Sequence, residues 1–273
     1  MYLVNGQQTN VTSLGDRSFN YGDGCFSTIL VKSGRVDLWA LHQKRMSEAL
    51  QRLFIEEPDW DCVLQWIADA ISIHHSDFVP YLSGIKLHVS RGTGGRGYSP
   101  FGVNNPQVTI HPFDYPEHYT RWKANGIHLG LSSVHLGLNP LLAGLKHNNR
   151  LEQILIKAEM ETQPFDDSVV LDINQNVIET SASNLFWVKN DILYTANLSQ
   201  SGVAGIMRAY ILERASTFGL NIHVGSYTLT EFMNADEVFT TNALHSVVPV
   251  IGFENHFFEI GVLTRTLQEK INP

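Results

Sequence analysis

Twenty consecutive residues, Gly126 to Leu145, contain no Asp, Glu, Lys or Arg, and Lys146 follows them directly. The run is uncharged rather than continuously apolar, so it falls short of the roughly 20 apolar residues that a membrane helix needs. It reads as a strand, Ile127–Ser132, and an uncharged loop to Leu145. Behind it Leu151, Ile154, Leu155 and Ala158 recur at i, i+3, i+4, i+7, predicting an amphipathic helix from about His147. A lysine in that position is partly desolvated, and desolvation lowers the pKa of an amine toward neutrality. A neutral amine is the form that condenses with an aldehyde. The same placement also suits a lysine that snorkels near a helix N-terminus.

The rest of the chain mixes strands and helices. Tyr2–Asn5, Phe26–Val31 and Val36–Trp39 are β-rich, and Leu41–Phe54 reads as a helix carrying Leu41, Met46, Ala49, Leu50 and Leu53. A second helix follows Pro58, with Val63, Ile67, Ala70 and Ile71 on one face, and strands Gly84–Ser90 and Gln107–Phe113 close this half. The polar, aperiodic stretch Asp114–Asn125 reads as a linker. Beyond it Asp167–Asp172, Val177–Thr180, Asn184–Val188 and Ile192–Thr195 form a strand series, followed by helices at Gly205–Phe218 and Ile260–Ile271. Without strict alternation of strand and helix, the pattern favours two α+β domains, 1–113 and 125–273, joined at 114–124 with a cleft between them.

Charge and cysteine content narrow the function classes. With 19 Lys+Arg against 27 Asp+Glu, the formal charge of -8 repels a phosphate backbone and argues against nucleic-acid binding. Two cysteines, Cys25 and Cys62, suggest a reducing compartment, and the polar start of the chain is no secretory leader, so a cytoplasmic location without membrane contact is expected. No metal centre is expected from the twelve histidines: His74 and His75 are adjacent and should point to different helix faces.

Gly92, Gly94 and Gly97 fit the dinucleotide pattern G-x-G-x-x-G, but that pattern needs a helix to open within the glycines. Tyr98, Ser99, Pro100, Phe101 and Gly102 cannot begin a long helix, so the reading fails. The loop is either a flexible hairpin connection or a carboxylate-binding loop in which Arg91 and Arg96 stand among close-approach glycines.

Two further signals share the isolation of Lys146. Glu179 is the only charged residue between Asp172 and Lys189, and reads as a capped structural acid or as the partner of a cationic ligand nitrogen. Ser201 to Arg208 opens a helix, where exposed N–H groups and the dipole bind phosphate; a plain turn is the alternative. An isolated lysine, an isolated glutamate and a phosphate-ready helix start are the parts a pyridoxal phosphate site needs.

With these residues in hand the chain resembles the fold type IV pyridoxal-phosphate enzymes, the group of branched-chain and D-amino-acid aminotransferases. The resemblance runs through Asp16-Arg17, Tyr21 to Phe26, His42 to Arg45, Ser90 to Tyr98, Leu142 to Gln153, Glu179 with Asn184, and Gly205 to Arg208. The Arg91–Tyr98 loop and the run from Lys146 to Arg150 are most similar to the lyases of the group that act on 4-amino-4-deoxychorismate. The resemblance implies a two-domain α+β fold with the site in the interdomain cleft, and a homodimer. It implies Lys146 as the Schiff-base lysine, Glu179 as partner of the pyridinium nitrogen, and Arg45 with the N–H groups of Ile206 and Met207 on the phosphate. In place of the aminotransferases' threonine turn, Asn242 or Ala243 would supply a further phosphate N–H. Arg91, Arg96, Tyr98, Tyr21 and Phe26 would meet the substrate, and Thr28 would protonate the leaving group. The implied reaction releases 4-aminobenzoate and pyruvate in folate synthesis; an aminotransferase acting on D- or branched-chain amino acids is the alternative.

Overall fold

The computed structural model describes residues 1–75 and 80–271 and separates into two compact units. One holds Met1–Tyr115 together with Leu145–Asn149, and the other holds Pro116–Gly144 and the chain from Arg150 onward. The lysine segment, expected with the C-terminal domain, therefore groups with the N-terminal unit. Backbone pairing is the reason: Phe26 N donates to Lys146 O at 2.9 Å, and Asn148 N donates to Gly24 O at 3.1 Å.

The N-terminal unit runs β1 (Leu3–Val4), β2 (Gln7–Gln8), α1 (Arg17–Tyr21), β3 (Gly24–Lys32), β4 (Arg35–Val36), α2 (Trp39–Arg52), α3 (Trp60–His74), β5 (Leu82–Ser90) and β6 (Gln107–Asp114). Its strands pair antiparallel in the order β2-β1-β6-β5-β3-β4. Side chains alternate across a strand, so Cys25, Ser27, Ile29 and Val31 share one face with their registered partners Val89, Leu87, Ile85 and Ser83, and all are buried. Helices α2 and α3 lie against this sheet. The residues α3 buries are Val63, Ile67, Ala70 and Ile71, the face its period predicts. The opposite sheet face carries Phe26 and Thr28, registered with His88 and Lys86.

The C-terminal unit opens with α4 (His118–Asn125), in the stretch read as a linker. That helix buries no residue, so it leaves no apolar period for a sequence reading to detect. Then follow β7 (Ile127–Leu131), α5 (Leu151–Met160), β8 (Asp167–Leu171), β9 (Val177–Thr180), β10 (Asn184–Lys189), β11 (Ile192–Ala196), α6 (Ile206–Glu213), α7 (Ala215–Phe218), β12 (Asn221–Gly225), α8 (Leu229–Met233), β13 (Glu237–Asn242), β14 (Ser246–Phe253), β15 (His256–Phe257) and α9 (Val262–Ile271). The strand order is β12-β11-β10-β13-β14-β7-β8-β9, and β9 also pairs with β10. That extra pairing, Glu179 against Asn184, closes six strands into a ring. Leu129, Val169, Leu185, Trp187, Phe232 and Val248 belong to one buried core cluster of this unit, the aliphatic and Phe side chains each worth roughly 1.5–3 kcal/mol of burial.

The helix α5 departs from expectation. It starts at Leu151, and it buries Ile156 and Met160, whereas Leu151, Ile154 and Leu155 are 74%, 59% and 58% exposed and Ala158 is exposed. The apolar stripe exists, but it faces away from the core of its own unit.

Candidate active site

Within the N-terminal unit, the half-buried Lys146 extends its Nζ over the Phe26 ring, 4.8 Å from the centroid. Lys86 approaches the same ring at 5.0 Å. Thr28 lies two residues from Phe26 on β3, on the same sheet face. Sheet alternation thus gathers Phe26, Thr28 and two lysines. Arg45 reaches β3 from α2, donating Nη2 to Ser27 Oγ at 2.6 Å, and Ser27 Oγ lies 2.7 Å from His42 Nδ1. Burial, reinforced by the Arg45 charge, holds the His42 pKa well below its ordinary value, so the ring is neutral.

The glycine loop opens no helix, as its rejection as a dinucleotide site requires: Gly92, Gly94, Gly95 and Gly97 all take positive φ and the next strand is β6. Its two arginines have different fates. Arg91 is buried, donating to Asp23 through Nε at 2.7 Å and Nη2 at 3.1 Å, and to the carbonyls of Leu53 and Phe54. Its fork is fully engaged inside the unit, so the expectation that it meets a substrate carboxylate is corrected. Arg96 and Tyr98 are exposed, and Tyr98 packs at 5.6 Å from Tyr21.

The residue that shapes the loop is Arg17. It is 3% exposed, bonds Asp23 at 2.8 Å through Nε, and donates to the carbonyls of Gly94, Gly97, Tyr98 and Ser99. Burial pushes the Asp23 carboxyl up, but hydrogen bonds and charge from Arg91 and Arg17 outweigh it, and its pKa falls below the usual value. The local sequence signal beside Arg17 is Asp16, which caps α1.

In the C-terminal unit, register builds a row. Glu179 pairs with Asn184, and Asn184 pairs with Thr241, so three strands place these side chains on one face. Glu179 is 5% exposed and accepts Val203 N at 2.9 Å. Asn184 accepts Gly205 N at 3.0 Å and donates to Val203 O at 2.9 Å, tying the row to the start of α6. A Cβ at Gly205 would meet Asn184 Oδ1 at 2.1 Å, so only glycine lets the helix begin there. Gly205 provides no side-chain cap, which leaves the first-turn N–H groups, those of Ile206 and Met207 among them, for an anion. Thr241 Oγ1 and Ser201 Oγ are buried without a hydrogen-bond partner.

The Asn242 side-chain oxygen accepts the amides of Leu244 and His245 at 2.9 Å each, and the neighbouring hydroxyls of Thr240 and Thr241 are both buried without a hydrogen-bond partner. Burial lowers the Arg150 pKa and the Glu179 charge opposes that shift, which marks Arg150 as the neighbouring cation of Glu179. His74 and His75 do not point apart: with Asp114 their potential ligand atoms lie within 4.8 Å of one another. The helix ends at His74, and His75 at φ -113 and ψ 48 no longer follows helical rotation.

The amino-transferase class IV profile matches residues 24–252. An aminodeoxychorismate lyase of Vibrio harveyi is 48% identical over 276 aligned positions, spanning 100% of both chains. The crystal structure of a 4-amino-4-deoxychorismate lyase from Pseudomonas aeruginosa matches with a TM-score of 0.92 and 34% identity, over 100% of this chain and 98% of that one. The PLP-bound form of a hypothetical aminotransferase from Mycobacterium tuberculosis matches at a TM-score of 0.85 and 16% identity, over 99% of this chain and 98% of that one, which is a likeness of fold.

Proposed function

Since the chain belongs to the amino-transferase class IV family, we propose that it is a pyridoxal-phosphate-dependent lyase converting 4-amino-4-deoxychorismate to 4-aminobenzoate and pyruvate, a step of folate synthesis. The observation that carries the cofactor assignment is the row of Glu179, Asn184 and Thr241. It sets a buried carboxylate, an unpartnered hydroxyl and an uncapped helix start on one side of one sheet. A pyridine ring with a phosphate arm needs those groups. The likeness at 48% identity along the whole chain carries the choice of substrate.

When bound, pyridoxal phosphate supplies an electron sink for the pair left by a broken C–H bond. Lys146 would carry the cofactor through Nζ and then remove the proton from the substrate carbon bearing the amine. Glu179, which accepts Val203 N–H and has Arg150 as its neighbouring cation, would keep the ring nitrogen protonated. The N–H groups of Ile206 and Met207, the guanidinium of Arg45 and the hydroxyl of Thr241 would hold the phosphate, with the Asn242 and Ala243 backbone beside them. Thr28 would protonate the departing enolpyruvyl oxygen, which leaves as pyruvate. Arg96, Tyr98 and Tyr21 would receive the substrate carboxylates. Loss of the C4 proton and the C3 substituent makes the ring aromatic, so no amino acceptor is consumed.

The protein would act as a homodimer in the cytoplasm. The exposed stripe Leu151, Ile154 and Leu155 supports the dimer, because an apolar helix face left open by its own unit marks a contact surface. Among the described residues no helix is long and apolar enough to cross a membrane.

The test is pyruvate release by purified protein from 4-amino-4-deoxychorismate with no 2-oxo acid present. Stoichiometric pyruvate and 4-aminobenzoate support the lyase. A strict requirement for a 2-oxo acid would reassign the chain to amino transfer on D- or branched-chain amino acids.

A further inference from the structure

The turn that bears Lys146 is held by a polar cluster outside the groups assigned so far. Asn148 Nδ2 donates to Ser18 Oγ at 2.7 Å and lies 2.8 Å from His88 Nε2, and Ser18 Oγ lies 3.2 Å from the same nitrogen. His88 stands in register with Phe26, whose amide donates to Lys146 O at 2.9 Å and whose ring underlies Lys146 Nζ at 4.8 Å. Two strands, α1 and the lysine turn therefore converge on one imidazole. We propose that His88, Ser18 and Asn148 form a positioning clamp that fixes the Lys146 turn against β3 and so directs its amine over Phe26.

Three observations favour a clamp over incidental packing. First, Asn148 has two N–H groups, and Ser18 Oγ and His88 Nε2 take one each. That arrangement requires His88 Nε2 to accept, which a neutral ring protonated at Nδ1 does and an imidazolium cannot. Desolvation, aided by Lys86 and opposed by Asp16, lowers the His88 pKa to about 4, so the accepting form persists at neutral pH. Second, the space is cleared by glycine: a Cβ at Gly24 would meet Asn148 Nδ2 at 2.7 Å and Val89 O at 2.3 Å. Third, Asn149 repeats the grip on the same strand approach, donating Nδ2 to Gly22 O at 3.2 Å. The turn is thus tied by backbone hydrogen bonds at Lys146 and Asn148 and by the side chains of Asn148 and Asn149.

The clamp needs no cofactor to exist; its use in catalysis rests on Lys146 being the cofactor lysine as proposed above. The experiment measures residue-resolved hydrogen exchange of the Phe26 and Asn148 amides in the full-length protein, with and without added pyridoxal phosphate. In Asn148→Leu and His88→Leu both amides should exchange about tenfold faster, the effect of losing one ordinary hydrogen bond. In His88→Gln, whose carbonyl can accept from Asn148, exchange should stay within about twofold of the parent. Ser18→Ala, a change at the half-buried Ser18 of α1, should give about a threefold rise and serves if the leucine variants do not fold. In cofactor-loaded protein, the pH midpoint of the visible absorbance, which reports the Lys146 nitrogen, should move in His88→Leu and return in His88→Gln. Unchanged exchange at Phe26 and Asn148 in the folded leucine variants, or in Ser18→Ala, overturns the clamp. Absence of a visible band from the parent protein would instead strike the cofactor assignment, while the exchange rates would still decide whether the turn is clamped.

Discussion

Arg91 grips Asp23 with two parallel donors, Nε to Oδ2 at 2.7 Å and Nη2 to Oδ1 at 3.1 Å, while Arg17 takes Oδ2 from the other side at 2.8 Å. One carboxylate thus joins two buried guanidinium groups, and these in turn hold the turn after α2 and the glycine loop. Removing one partner of such a group leaves a desolvated charge, at a typical cost of about 3–5 kcal/mol. Arg91→Ala should therefore lower the melting temperature steeply, and Arg91→Lys should not restore it, since an ammonium cannot reproduce the fork. Arg96→Ala should leave melting unchanged and raise KM for the substrate. Calorimetry and steady-state kinetics on the two variants separate these roles. A large KM effect with unchanged melting for Arg91→Ala would return that residue to substrate binding.

The same carboxylate makes an acid-limb prediction. The folded pKa of Asp23 lies below its unfolded value of about 3.9, so the unfolded chain binds more protons as pH falls past that value. Its contribution is complete above about pH 4 and is lost as pH falls through the folded value. The stability gap between the parent and Asp23→Asn should stay constant at neutral pH and shrink only below about pH 4. Denaturant midpoints at a series of pH values measure this; a gap that narrows between pH 8 and 5 would be contrary.

A histidine acts over a higher window. His245 is 1% exposed, its Nε2 lies 3.0 Å from Ser183 Oγ, and burial lowers its pKa from 6.5 to about 3. The unfolded chain takes up this proton near 6.5 and the folded chain only near 3, so stability declines as pH falls through that interval. The slope for one such group approaches about 1.4 kcal/mol per pH unit. His42 and His88 are lowered in the same direction. In His245→Gln the slope between pH 6 and 4 should be shallower than in the parent by about one proton's worth; equal slopes would remove His245 as the cause.

How far the sequence spoke depends on what each element buries. Val63, Ile67, Ala70 and Ile71 were legible because α3 packs one face on its own sheet. Leu151, Ile154 and Leu155 show the same period, yet no single-chain pattern tells a face bound for the core from one bound for a second copy. Lys146 and Glu179 stood out by isolation from other charges, and the structure gives Glu179 a buried place and Lys146 a half-buried one. Arg17 and Arg91 were opaque for the opposite reason. Arginine is seldom buried, and nothing local reveals that Asp23 and six carbonyl oxygens between them lie within reach of the pair. Thr241 was hidden because its neighbours in the site come from strand register, which a linear reading does not supply.

The proposed proton donor gives a kinetic prediction. Thr28 shares the sheet face of Phe26, two residues along β3, so a substrate lying over Phe26 comes within reach of its hydroxyl. Loss of a general acid costs typically about 10²-fold or more in the chemical step. Thr28→Val keeps the shape and the β propensity of the strand, so KM and melting should hold while kcat falls. Thr28→Ser should recover most of the rate. If Thr28→Val turns over at the parent rate, the leaving oxygen takes its proton elsewhere, with Lys86 on the same face the next candidate.

The open face of α5 gives a test of the proposed homodimer. Leu151, Ile154 and Leu155 lie at i, i+3 and i+4, which brings them onto one side of the helix, and each is more than half exposed. Apolar surface buried between two copies yields roughly 25 cal/mol per Å², so a charge placed in the middle of the patch both forfeits that gain and must itself be desolvated. Ile154→Asp should therefore convert a dimer to a monomer in sedimentation at micromolar concentration. The change is on the surface of its own unit, and that unit's core residues Ile156 and Met160 are untouched, so the monomer should remain folded by circular dichroism. A parent protein that already sediments as a monomer, or a variant that stays dimeric, would remove α5 from the interface and leave its apolar stripe without an assigned partner.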